Sequence, residues 1–153
     1  AVVLAEAGLT RLNMRDVIGE RFSIKDFLPS PGQGAIAIVC RSDHLELIKI
    51  LRSIEDPYSR AEIDAERSLL TKIQGGCRFP VGTCAITEYE SSKITLYATV
   101  FSADGTESIE IKETGSKRDP IKLGIKAANL LLKAGAMKLA EGWRDAVEAW
   151  NSK

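Results

Sequence analysis

Two periods of hydrophobic recurrence divide this chain into strands and helices. Ala1-Val2-Val3-Leu4-Ala5 is a short apolar run that reads as a buried strand, followed by a turn over 7–12 and a short helical stretch from Met14 to Glu20. Two Pro and two Gly within Pro29-Ser30-Pro31-Gly32-Gln33-Gly34 rule out regular structure and mark a shaped loop. Ala35–Cys40 is a continuous apolar run, as in a strand covered on both faces. Ser42 or Asp43 then caps a helix with Leu47, Ile50, Leu51 and Ile54 on one stripe.

Asp56-Pro57 opens a helix to about Gln74, with Ala61, Ala65, Leu69 and Ile73 on one face and a stop at Gly75-Gly76. The period then changes to two. Val81–Tyr89, Ile94–Phe101 and Glu107–Glu113 read as strands joined by turns at Ser91-Ser92 and Asp104-Gly105, an antiparallel meander. Asp119-Pro120 starts another helix, with Ile121, Ile125, Ala128 and Leu132 on its stripe and an end near Gly135. A last helix aligns Leu139, Trp143, Val147 and Trp150. The fold class expected is therefore α/β up to about Ile54, then a self-contained α+β domain of three antiparallel strands covered by helices. An opening inside a strand suggests that sequence precedes residue 1.

Composition narrows the function. Lys+Arg and Asp+Glu balance at 21 each, and the signs are interspersed, which argues against a nucleic-acid partner. No run approaches the roughly 20 apolar residues of a membrane span. Three cysteines, Cys40, Cys77 and Cys84, form no CxxC pair and accompany a single histidine, so neither a disulfide framework nor a structural zinc site is expected. The odd count suits a reducing compartment, the cytoplasm.

Gly75-Gly76-Cys77-Arg78-Phe79-Pro80-Val81-Gly82 is the sharpest local feature. A cysteine on a Gly-Gly turn between helix and strand has little bulk to shield it. Free cysteines more often serve as small buried hydrophobes, and that alternative stands on spacing alone. A recycling thiolate is disfavoured, because Cys77 follows a helix C-terminus, where the dipole opposes negative charge. A cysteine that forms one bond and keeps it needs less activation. His44 reads as a helix-surface residue, Cys40 and Cys84 as core, and Arg67 as the partner of a structural ion pair beside Glu66.

Several segments together resemble the porphobilinogen deaminase (hydroxymethylbilane synthase) family. They are Leu4-Ala5-Glu6-Ala7-Gly8-Leu9-Thr10-Arg11-Leu12, Leu28-Pro29-Ser30-Pro31-Gly32-Gln33-Gly34-Ala35, Ala65-Glu66-Arg67 and the Gly75–Gly82 stretch, in the family's order. The resemblance implies a transferase of tetrapyrrole (porphyrin, haem) biosynthesis. It joins four porphobilinogen molecules head to tail with release of ammonia and hydrolyses off hydroxymethylbilane. It also implies a dipyrromethane cofactor held by a thioether to Cys77. Arg11 falls where the family places an arginine for pyrrole carboxylates, and Gln33 where a residue lines the cleft near the cofactor. Pro31 departs from the small apolar residue usual there.

The family's catalytic aspartate lies in its N-terminal part, and Asp16, Asp26 and Asp43 share no motif with it. No catalytic residue is therefore expected in this chain, which alone should be inactive and should need the N-terminal part as partner. By the same resemblance the α/β units are periplasmic-binding-protein-like: residues 1–33 end domain 2, residues 34–54 return a strand and helix to domain 1, and residues 57–153 form the C-terminal domain. The rival readings are a non-catalytic binding module on such a scaffold and a cysteine hydrolase, which would need a histidine near Cys77.

Overall fold

The computed structural model describes residues 1–24, 26–73 and 79–152, with no side-chain description at 144, 150 and 151. Asp56 starts the longest helix by accepting from the Ser59 amide at 3.0 Å and the Ser59 hydroxyl at 2.6 Å. Pro57 follows as its first residue, where a missing N–H costs nothing. This helix is labelled α3 (Pro57–Ile73), after α1 (Glu6–Arg11) and α2 (Leu45–Ser53). The alternating segments form β1 (Val81–Thr87), β2 (Lys93–Phe101) and β3 (Ser108–Ser116), one antiparallel sheet in the order β1-β2-β3. Val81 pairs with Val100, and Val100 with Ile109, so all three inward rows meet on one face.

That face is covered by α3 and by α4 (Pro120–Lys133), with α5 (Ala136–Leu139) and α6 (Trp143–Asn151) following. The core consists of Ala61, Ala65, Leu69 and Ile73 of α3, the inward row Ile94, Leu96, Ala98 and Val100 of β2, and Leu123, Ala127, Ala128 and Leu131 of α4. Three antiparallel strands with covering helices are what the alternation predicts, within two residues at each strand end except the last, where β3 runs three residues beyond Glu113.

The stripe on α4 differs. Ala128 is buried as expected and Leu132 packs at the margin, but Ile121 and Ile125 are exposed. The buried face instead carries Gly124 and Ala127, because α4 approaches α3 too closely for large side chains. A Cβ on Gly124 would lie 2.0 Å from Ser68 Oγ and 2.1 Å from the Ala65 carbonyl oxygen. The expected last helix is two, separated by a turn where Gly142 takes φ +84°. Leu139 packs against the core, and the Trp143 indole N–H donates to the Phe101 carbonyl at 3.0 Å.

Larger differences lie before α3. Residues 1–5 and 35–40 are not strands, and Val2, Ile36 and Val39 are more than three-quarters exposed. An extended segment needs a neighbouring strand to take its N–H and C=O groups, and none pairs with these runs among the described residues. Residues 7–12, expected as a turn, lie mostly in a helix, Glu6–Arg11, whereas the expected helix over 14–20 is only a 3-10 turn at Arg15–Val17. Neither Ser42 nor Asp43 caps α2. His44 does, its Nδ1 accepting from the Leu47 amide at 3.2 Å, while Asp43 pairs with Arg41. Cys40 and Cys84 are half-buried rather than core.

The β2–β3 turn closes around Asp104. Its Oδ1 accepts from the Ser102 hydroxyl at 2.6 Å, the Thr106 hydroxyl at 2.8 Å and the Thr106 amide at 3.1 Å. Those donors, Ser102 first, lower its pKa from 3.8 to about 2. A carboxylate depressed on folding stabilises fully above its ordinary value and loses that contribution as pH falls through the folded one. A carboxyl NMR titration should therefore place Asp104 near 2. In Asp104→Asn the turn amides should show no acid-dependent loosening between pH 3.8 and about 2.

Candidate functional site

β1 is an edge strand, and its outward N–H groups need acceptors. Three successive ones find them outside the sheet. The Thr83 amide donates to the Pro29 carbonyl at 2.8 Å, Ala85 to Glu66 Oε1 at 2.8 Å and Thr87 to Glu62 Oε1 at 2.8 Å. Glu62 and Glu66 stand one turn apart on α3, so a single helix face closes most of the edge.

The remaining acceptor comes from the loop over 27–34. Leu28 packs on Gly82, where a Cβ would meet its side chain at 2.8 Å, so glycine is what lets the loop reach the strand. Farther along, the Gly32 amide donates to Glu66 Oε2 at 2.7 Å. The loop turns there, Gln33 N–H donating to the Ser30 carbonyl at 3.1 Å and Gly32 taking φ +72°. Gln33 itself is exposed.

Glu66 is 7% exposed. Burial pushes its pKa up, while the Gly32 and Ala85 amides pull the other way and the nearby Glu62 charge adds to the rise. The Thr83 hydroxyl lies buried beside it without a hydrogen bond of ordinary geometry. Cys84 feels the same surroundings: burial first, then the Glu66 and Glu62 charges, raise its thiol pKa. It is therefore a poor nucleophile.

The residues expected at a site are distributed as follows. Arg11 ends α1, exposed and without a hydrogen bond or ion pair among the described residues. No hydrogen bond or ion pair joins it to Gln33. Cys77, with the Gly75-Gly76 stop before it, lies outside the described residues. Arg67 is exposed and makes no ion pair among the described residues, because Glu66 turns inward to the two amides instead. Glu66 is thus the residue that sequence reasoning missed. Its signal was present: Glu62 and Glu66 share a helical row with Leu69 and Ile73, so two acids continue an apolar stripe.

Two open clefts flank the domain, of about 350 Å³ between Ile24, Leu28 and the Tyr97–Lys112 face, and about 490 Å³ beside Arg67, Lys72 and Ile121. Neither is lined by Arg11 or Gln33. No cluster of three or more possible metal-ligating side chains occurs among the described residues, and no helix among them is long and apolar enough to cross a membrane.

The geometry defines an α+β domain that holds a loop from the preceding sequence on its edge strand. Residues 1–49 match the family described as "Porphobilinogen deaminase, dipyromethane cofactor binding domain", and residues 60–133 match "Porphobilinogen deaminase, C-terminal domain". A "Probable porphobilinogen deaminase" of Nitrosopumilus maritimus is 48% identical over 99% of this chain and 48% of its own length. The porphobilinogen deaminase of Brevibacillus brevis is 43% identical over 89% of this chain and 43% of its own length. That of Desulforamulus reducens is 37% identical over 92% and 45%. The chain belongs to the porphobilinogen deaminase family, a family of transferases, and spans about half the length of the curated relatives it matches.

Proposed function

We propose that this chain supplies the C-terminal portion of a hydroxymethylbilane synthase that condenses four porphobilinogen molecules head to tail with loss of ammonia and releases hydroxymethylbilane by hydrolysis. The observation that carries this reading is the pair of family matches, over 1–49 and 60–133, on either side of one loop-to-strand clamp. A dipyrromethane bound to the chain supplies the primer on which the oligopyrrole is built.

Cys77 is the residue that would hold it, and the other thiols support that choice. Cys40 and Cys84 are both half-buried, and Cys84 is further deactivated by two neighbouring carboxylates. A soft sulfur suits the methylene of an aminomethyl pyrrole: the S–C bond forms as the C–N bond breaks, and the thiol proton leaves with the amine as ammonia. Arg11 would grip a pyrrole carboxylate through its planar fork, and Gln33 would line the cleft from its clamped turn.

Residues 1–33 and 34–54 would complete two periplasmic-binding-protein-like domains, with 57–153 as the third. The exposed apolar runs at Val2–Leu4 and Ile36–Val39 support a covering partner, the N-terminal part of the same enzyme. Activity requires that part, because it would bring the catalytic aspartate. A cytoplasmic setting suits two free cysteines among the described residues. An intact-mass measurement on the complete enzyme tests the proposal: one dipyrromethane increment confined to the peptide bearing Cys77 supports it, and an adduct elsewhere or none at all in active enzyme overturns it.

Arg11→Lys keeps the charge but loses the bidentate contact. Because Arg11 is exposed and unpartnered among the described residues, folding should be unaffected while turnover drops by about tenfold or more. Steady-state rates across substrate concentrations check this. Unchanged turnover would remove Arg11 from the site.

A further inference from the structure

Glu66 has more to do than close a strand edge. Glu62 already shows what edge closure alone looks like: its carboxylate takes the Thr87 amide and the Thr87 hydroxyl, both on β1, and no atom of the 27–34 loop. Glu66 divides its two oxygens between β1 and the loop, one on the Ala85 amide and one on the Gly32 amide. Leu28 and Pro29 tie the first half of the loop to Gly82 and Thr83. Glu66 alone among these contacts ties the second half, at the residue immediately before Gln33. Burying a carboxylate is costly unless it is fully hydrogen-bonded, and two amide donors give a charged acceptor what a neutral side chain could not use.

We propose that Glu66 is a positioning residue, fixing the turn that presents Gln33 to the first strand of the C-terminal domain. This rests on the reading of Gln33 as a cleft-lining residue. The strand that receives the loop is the one that follows the segment bearing Cys77 in sequence, so one carboxylate sets the loop against that strand. Glutamine cannot replace it. Its amide offers one oxygen, so an NH2 would face one of the two N–H donors.

The test uses the complete enzyme with its cofactor and four variants: Glu66→Gln, Glu62→Gln, Gln33→Ala and the double variant Glu66→Gln/Gln33→Ala. Hydrogen exchange of the peptide over 28–35 should speed up about tenfold in Glu66→Gln, the loss expected for one charge-assisted bond, and should stay unchanged in Glu62→Gln. The mass increment on Cys77 should persist in both. Turnover per loaded molecule should fall in Glu66→Gln, and the same change made on Gln33→Ala should add little, since coupled residues do not act additively.

Unchanged exchange over 28–35 in Glu66→Gln overturns the proposal. So does normal turnover in Glu66→Gln when Gln33→Ala is impaired, which leaves the reading of Gln33 intact. If Gln33→Ala turns over like the parent, the reading of Gln33 fails and the positioning role falls with it. Should Glu66→Gln not fold, Glu66→Asp carries the same expectations, because a side chain one methylene shorter cannot reach both amides.

Discussion

Cys77→Ser should abolish covalent cofactor attachment and all turnover in the complete enzyme while leaving the C-terminal domain folded. The exchange barely changes size, but it replaces a soft nucleophile with a hydroxyl, a poorer match for the methylene electrophile that would need a base to activate it. The single histidine of the chain cannot serve, because His44 is occupied as the cap of α2. A near-isosteric change of one atom should alter stability only modestly, within the usual range of about 0.5–3 kcal/mol for point variants. Cys84→Ser should behave oppositely. Its sulfur is half-buried in β1 beside two carboxylates, so a hydroxyl there costs about 1 kcal/mol or more in folding but leaves attachment intact. Intact mass, thermal melting and turnover on the same three proteins decide the matter. A cofactor increment retained in Cys77→Ser, or lost in Cys84→Ser with the fold preserved, would reverse the assignment.

What could be read from the sequence, and what could not, follows from where each element finds its partners. α3, β1, β2 and β3 were legible because each satisfies its own pattern locally: Asp56 caps, Gly105 turns, and the inward row of β2 alternates without a break. The stripe of α4 was misread because hydropathy weights Ile121 and Ile125 above Gly124 and Ala127, whereas the helix contact selects for small size. The runs at 1–5 and 35–40 have strand composition but no strand beside them among the described residues, and composition cannot supply one. For the site, the Gly- and Pro-rich loop around Gln33 was legible as a shaped turn, while the role expected of Gln33 came from the family resemblance alone. Glu66 was missed because a helical glutamate beside an arginine looks like a surface pair. Its real partners, Gly32 and Ala85, are distant in sequence, and main-chain amides leave no trace in a side-chain pattern.

Gly124→Ala should be the most damaging single-methyl addition at any described glycine of the domain, lowering stability by about 3 kcal/mol, the upper end of overpacking costs. The added Cβ would fall 2.0 Å from Ser68 Oγ, 2.1 Å from the Ala65 carbonyl oxygen and 2.9 Å from the Leu69 amide nitrogen. Two of those three atoms are main chain of α3 and cannot rotate away, so the helices must separate. Separation would open the core between fully buried Ala65 and Leu69 on one side and Ala127, Ala128 and Leu131 on the other. The usual helix-propensity gain of about 1 kcal/mol for Gly→Ala works against this and is outweighed. Ser68 gives an internal check. Its hydroxyl donates to the Ala65 carbonyl at 2.9 Å and the Ile121 carbonyl at 3.2 Å, stitching α3 to the first turn of α4. Ser68→Ala removes one of the three clashes but neither main-chain one, so the Gly124→Ala/Ser68→Ala double variant should recover only a minor part of the loss. Chemical denaturation of the two single variants and the double variant measures this directly. Full recovery in the double variant would mean that the side-chain contact alone sets the spacing of the two helices.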